Sequence, residues 1–310
     1  MDNPKNKLKQ TYRKIKNLEI QGATAVAKNS VIALKNYGLN IKINNLLKWK
    51  EEIKSASKYL SSARPTEPMA QNGLKFVLET IKKEKPQNVI QAKNYLKKAA
   101  NDFLILIEDI SLNIIALGKT EIKNNENILT HCHSYLVEQI LIQAKKAGKN
   151  FKVFNTETRP LFQGHITAKK LLKAKIPVTM VTDSSAAFLI SSYSGKSLTM
   201  NKIILGADAI LSDGSVINKI GSFGIGSSAK EENVPLYIAA PLLKFYPKSW
   251  IKIEKRPAKE IWAKAPKKLK IINFAFDKIP ASYIKGIICE IGIIKPEQAQ
   301  KYAKKLYPFI

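Results

Sequence analysis

Cys132 and Asp208 are the side chains of this 310-residue sequence best placed to exchange protons with a substrate, because each closes a short apolar run at a polar turn. Cys132 ends NILTHC where a strand hands over to a helix, with Ser134 as the expected N-cap and Glu138 early in the helix. The free N–H groups and dipole of a helix start would lower the thiol's pKa and also favour a bound phosphate. Asp208 stands in GADAI among Ile204, Leu205 and Ile210, surroundings that raise a carboxyl pKa and suit it to act as an acid, or alternatively to cap the following turn. Asn218 and Lys219 follow, ahead of a Gly- and Ser-rich segment with Gly221, Gly224 and Gly226 that permits close backbone approach to a ligand. Cys289, inside GIICEIGII, reads as a small buried hydrophobe. The run His131-Cys132-His133 does not read as a metal site. In an extended strand the imidazoles point one way and the thiol the other, and only His165 and Cys289 remain to complete a shell.

Elements must bring these residues together. Up to about residue 120 the periodicity is helical: Lys7 to Leu18 is charged and amphipathic, QGATAVAKNSVIALKNYG from Gln21 reads as a helix ending at Gly38, and Lys42 to Ser61 gives a third. ARPTEP at 63–68 breaks the pattern with two prolines, after which NGLKFVLETIKK and NVIQAKNYLKKAANDFLILIEDISLNIIALG restore it. Beyond Gly118 the runs NILTHC, FKVFNTE, PVTMVTD, NKIILGAD and PLYIAAP alternate with helical segments. Connections this long are not hairpins, so right-handed crossovers and a parallel sheet are expected. The predicted fold is α/β, with a helical N-terminal domain at 1–120 and a Rossmann-like parallel-sheet domain at 121–310. Ligands of such sheets bind outside the carboxyl ends of the strands. Cys132, Glu157 with Arg159, Asp183, Asp208 and Lys244 stand at those ends.

The charge of +28 would concentrate polyanions, yet it is spread along the chain and no aromatic-basic motif of the RNA-recognition type accompanies it. Forty-eight Lys stand against four Arg (Arg13, Arg64, Arg159, Arg256), a bias that reads as genome-wide composition and a solvated surface. No specific nucleic-acid partner is expected, while an anionic small substrate is. Arg is the better bidentate partner for phosphate, so the few retained are informative. No apolar run nears the roughly 18 residues that span a bilayer, the basic N-terminus lacks the core of a secretory signal, and two cysteines make no disulfide framework. A cytoplasmic protein is expected.

THCHS (130–134), ETRPLFQG (157–164), VTDSSA, GADAI, DGSVINKIGS and VPLYIAAPLLKF resemble the family of initiation factor 2B regulatory subunits, which also holds methylthioribose-1-phosphate isomerases and archaeal ribose-1,5-bisphosphate isomerases. ARPTEP and the NFAFDKIPASYIKGIICEIGI stretch fit as well, so the resemblance spans nearly the whole chain. THCHS with ARPT and APLLKF is most similar to the ribose-1,5-bisphosphate isomerase branch; the cysteine is generally absent from the non-catalytic subunits. The resemblance implies Cys132 as catalytic thiol and Asp208 as catalytic acid, in conversion of ribose 1,5-bisphosphate to ribulose 1,5-bisphosphate during AMP breakdown. It implies substrate binding by Arg64, Ser134, Tyr135, Leu136, Gln163, Asn218, Lys219 and Lys244, and by the phosphate-cradling amides of Gln21, Gly22 and Ala23. Isomerases often carry Arg-Gly-Ala where this chain has Gln21-Gly22-Ala23, so one charge-assisted bond is missing. No cofactor or metal is implied. A homo-oligomer, a dimer or a trimer of dimers, is. The alternatives are a non-catalytic binding protein related to the regulatory subunits, favoured by Gln21 and the charge, and a methylthioribose-1-phosphate isomerase.

Overall fold

The computed structural model describes residues 3–310, which divide into two compact units. The first runs up to Asp109 and takes in Leu243–Phe245 and Ala303–Ile310; the second comprises Ile110–Leu242 and Tyr246–Tyr302.

Helices α1 (Pro4–Lys16), α2 (Ala23–Asn40), α3 (Leu46–Ser61), α4 (Pro68–Lys83) and α5 (Val89–Gly118) form the helical region. Their apolar stripes meet around Trp49, Leu34, Leu74 and Phe103, all fully buried, and each such side chain contributes roughly 1.5–3 kcal/mol of burial. Gly38 does not end its helix, as the sequence suggests, but lies within α2. A Cβ there would come within 2.7 Å of Leu96 and Ile53 side-chain tips, and its carbonyl accepts from Trp49 Nε1 at 3.1 Å. Close packing holds this glycine. The third helix starts at Leu46 instead of Lys42, because the Asn45 side chain caps it by accepting from Lys48 N–H at 3.0 Å. On α4, the buried Asn72 amide donates to the carbonyls of Leu243 and Phe245 at 2.8 and 3.0 Å, fastening that short segment into the first unit.

In the second unit the five expected strands are present: β1 (Asn127–Thr130), β2 (Lys152–Thr156), β3 (Val178–Val181), β4 (Lys202–Leu205) and, after β5 (Ala209–Leu211) and β6 (Val216–Lys219), β7 (Leu236–Ala239). Helices α6 (Tyr135–Lys146), α7 (Gly164–Lys173), α8 (Ala186–Ile190) and α9 (Ser222–Glu231) lie between them in the chain. After the short β8 (Phe245–Tyr246), β9 (Lys255–Arg256) and β10 (Asn273–Phe274) come β11 (Phe276–Ile279), β12 (Gly286–Cys289), β13 (Gly292–Ile294) and α10 (Ala299–Leu306). The main sheet has the order β13-β12-β7-β4-β1-β2-β3 and is parallel except for its edge strand β13. Strand β1 therefore has β2 on one side and β4 on the other. This is the point where strand order reverses and a crevice opens at the carboxyl ends.

A second sheet, β11-β6-β5-β8, has no counterpart in the sequence reading. Its β5–β6 hairpin turns at Gly214 (φ 79°), and Ile217, Leu211 and Phe276 form a small core beneath it with Ile251 and Ala275. The Gly- and Ser-rich segment that follows is helix α9, entered through Gly221 at φ 105°.

Candidate active site

Between β1 and α6 the chain turns at Cys132, whose φ of 69° is left-handed and costly for a residue with a side chain. Both backbone polar atoms are held there. The N–H donates to Thr158 Oγ1 at 2.9 Å, and the carbonyl accepts from Thr167 Oγ1 at 2.9 Å. The thiol is buried, with Sγ 3.6 Å from Gln163 Oε1. Gln163 stands at the start of α7, drawn close because Gly164 has no Cβ; one there would lie 1.9 Å from the Thr156 carbonyl oxygen. Burial pushes the Cys132 thiol up to about 11, while the Lys219 charge pulls it down and Asp208 and Asp183 add smaller upward pushes. The expectation of a lowered pKa is thus corrected: desolvation outweighs the helix start.

His131 and His133 do not flank the thiol in an extended strand. His131 is buried, with Nε2 2.9 Å from the Ile220 carbonyl and Nδ1 2.6 Å from Thr156 Oγ1. A carbonyl only accepts, so Nε2 carries the proton and Nδ1 accepts from the hydroxyl. Burial lowers the ring's pKa against the attraction of Asp183, 3.8 Å away, which keeps it neutral. Asp183 in turn accepts from the Thr158 and Arg159 N–H groups at 2.8 and 2.7 Å. His133 turns instead toward Thr167 and Glu138, its pKa lowered to about 4 by burial and by Lys170. Among the described residues, no three His, Cys, Asp or Glu side chains are grouped to hold a metal ion.

Asp208 follows β4, beside β1, and enters β5 with its N–H donating to the Ile217 carbonyl at 2.8 Å. Strand β5 begins at the next residue. Lys219 ends β6 with its ammonium 5.1 Å above the Phe276 ring. Asn218 is buried and donates to Ser222 Oγ at 2.9 Å, which fixes the entry to α9. Ser134 occupies the N-cap position of α6 without capping through its side chain; its hydroxyl packs against Gly206, where a Cβ would meet it at 2.7 Å. Tyr135 is about half exposed, and the Leu136 side chain belongs to the core. Gln163 thus contacts the Cys132 thiol, and the charges of Lys219 and Asp208 act on it. Arg159 is not among them: it is exposed, stacks on Phe162 and donates to the Ile261 carbonyl.

The remaining expected residues belong to the first unit. Arg64 is buried and pairs with the equally buried Glu67 at 3.3 Å. Lys244 is buried on the segment that Asn72 fastens. Gln21 precedes Gly22, which takes φ 83° at the N-cap of α2, and Ala23 opens that helix. Sequence reasoning missed the struts Thr156, Thr158 and Asp277, and it weighed His131 only as a metal ligand. Their partners are remote in the chain, so no local signal marks them.

A profile of the Initiation factor 2 subunit family matches residues 19–296. The chain belongs to that family. A ribose 1,5-bisphosphate isomerase of Methanocaldococcus jannaschii is 37% identical over 98% of this chain and 96% of its own length. A methylthioribose-1-phosphate isomerase of Thermoanaerobacter sp. (strain X514) is 34% identical, covering 95% of this chain and 90% of its own. Among solved structures, translation initiation factor eIF-2B of Pyrococcus horikoshii OT3 matches with a TM-score of 0.81 at 26% identity, covering 94% of this family member and 98% of that chain.

Proposed function

We propose that this chain is a sugar-phosphate isomerase that converts ribose 1,5-bisphosphate to ribulose 1,5-bisphosphate in nucleotide (AMP) degradation. The observation that carries the reading is the convergence of Cys132, Asp208 and Lys219 from the ends of β1, β4 and β6, with both aspartate and lysine acting on the thiol's charge. A scaffold protein needs no such trio. A relative of that name at 37% identity over almost the full length supports the substrate.

The phosphate on the anomeric oxygen prevents the sugar from opening to a free aldehyde. Asp208 protonates the ring oxygen, the C1–O bond breaks, and the C2 proton passes to the Cys132 thiolate, leaving a C1 phosphoenolate with a hydroxyl on C2. The thiol then returns its proton to C1 while the C2 hydroxyl gives its own to the Asp208 carboxylate. Ulose and substrate differ only in where hydrogen sits, so atoms and electrons balance. The thiol is protonated at rest, and the Lys219 charge, with a hydrogen bond from the His133 N–H, favours the thiolate. Ser134, Tyr135, Leu136, Gln163, Asn218 and Lys219 contact substrate in this reading. Arg64 and Lys244 neutralise phosphate, with the amides of Gln21, Gly22 and Ala23 cradling it without the usual arginine.

No helix among the described residues is long and apolar enough to cross a membrane. A cytoplasmic location and a homo-oligomer are part of the proposal. The deciding experiment supplies purified protein with ribose 1,5-bisphosphate and follows ribulose 1,5-bisphosphate; no turnover would return the chain to a binding role. The methylthioribose-1-phosphate reading, supported by the 34% relative, predicts that compound as the faster substrate.

A further inference from the structure

One joint in the second unit is gripped from two sides and has no part in the chemistry above. It is the turn Ile220–Gly221, between Lys219 and helix α9. His131 Nε2–H holds the Ile220 carbonyl at 2.9 Å, and Asp277 Oδ2 accepts the Gly221 N–H at 2.7 Å. Gly221 takes φ 105°, and a Cβ on it would stand 3.3 Å from two atoms of the His131 ring. Asp277 is set opposite Asn218, and Phe276 opposite Lys219, by the antiparallel register of β11 on β6. Strand β11 thus supplies both the ring under the Lys219 ammonium and the carboxylate that anchors the next turn.

We infer that His131 and Asp277 are positioning residues, a clamp on Ile220–Gly221 that fixes the Lys219 ammonium where its charge favours the Cys132 thiolate. The inference rests on the isomerase reading for its purpose, but not for its test. The charged groups that act on the thiol are Lys219 from β6, Asp208 from the end of β4 and Asp183 from the end of β3. Asp277 is not one of them, and in this inference it acts through Lys219.

The test reads the apparent pKa of Cys132 from the pH dependence of its alkylation by iodoacetamide, with the modified Cys132 peptide quantified by mass spectrometry. Asp277→Ala is expected to raise that pKa by about half a unit to one unit, a three- to tenfold slower reaction at fixed pH. Asp277→Asn, which keeps a carbonyl acceptor, is expected to restore it. In a Lys219→Ala background Asp277→Ala should change nothing further. Gly221→Ala strains the same turn without touching Asp277 and should shift the thiol upward too. A lowered or unchanged thiol pKa in Asp277→Ala, or in Gly221→Ala should the first variant not fold, overturns the clamp, as does a shift that persists without Lys219. Because alkylation needs no turnover, absence of isomerase activity would sink the functional reading and leave this result standing.

Discussion

At the scale of single residues, the decisive quantity is the proton on Cys132. With the thiol pushed up to about 11, only about one molecule in a thousand or fewer carries a thiolate near pH 8. If Cys132 is the base, kcat/KM climbs nearly tenfold per pH unit through the range from 8 to 10, and levels off only as the thiol titrates. A flat profile over that range would remove the thiolate from the reaction. Cys132→Ser and Asp208→Asn are each expected to cost on the order of a hundredfold or more in turnover with the fold retained, read by initial rates beside far-UV circular dichroism. Near-full activity in Cys132→Ser would reduce the thiol to packing. Asp277 offers a check on stability. Its carboxyl is pushed from 3.8 up to about 6 by burial, so the folded state holds a proton there that the unfolded chain releases. Stability from this group is full below its unfolded pKa and declines as pH rises toward 6. Urea titrations at pH 4, 5 and 6 should show Asp277→Asn losing less stability with rising pH than the parent, by up to about 1.4 kcal/mol per unit.

Among elements, what could be read in advance was what repeats locally. Five of the six parallel strands announced themselves because each is a short apolar run closed by a polar turn, and β4 is buried along its whole length. Those turns also carry Cys132 and Asp208. The second sheet stayed hidden because β5, β6 and β11 make sense only once paired, with Asp277 meeting Asn218 from a distant part of the chain. The thiol's pKa was misjudged for a related reason: a helix start is visible in sequence, but burial is a property of everything packed around it. Gly164 is an element-scale constraint. A methyl there meets backbone oxygen of β2, which cannot rotate away as the side-chain tips near Gly38 can. Gly164→Ala should therefore destabilise by roughly 2–4 kcal/mol in chemical denaturation, and Gly38→Ala by less.

For the whole molecule, the charge of +28 and the proposed phosphate-binding residues call for separate tests. If Arg64 and Lys244 serve phosphate as proposed, ribose 1,5-bisphosphate should turn over faster than methylthioribose 1-phosphate when the two are compared at equal concentration. The reverse order would move the chain to the sister activity. The diffuse surface charge should hold RNA only through released counterions, so binding of a labelled RNA and of its scrambled control should weaken together and steeply between low and physiological salt. Preference for one of them at physiological salt would contradict this. The amide of Asn72 bears on how such a chain comes into being. Its two acceptors, the carbonyls of Leu243 and Phe245, are made some 170 residues after it, and the unit it belongs to closes only with residues 303–310. Final packing of the first unit therefore waits for segments made long after Asn72, and deletion of residues 303–310 should loosen it.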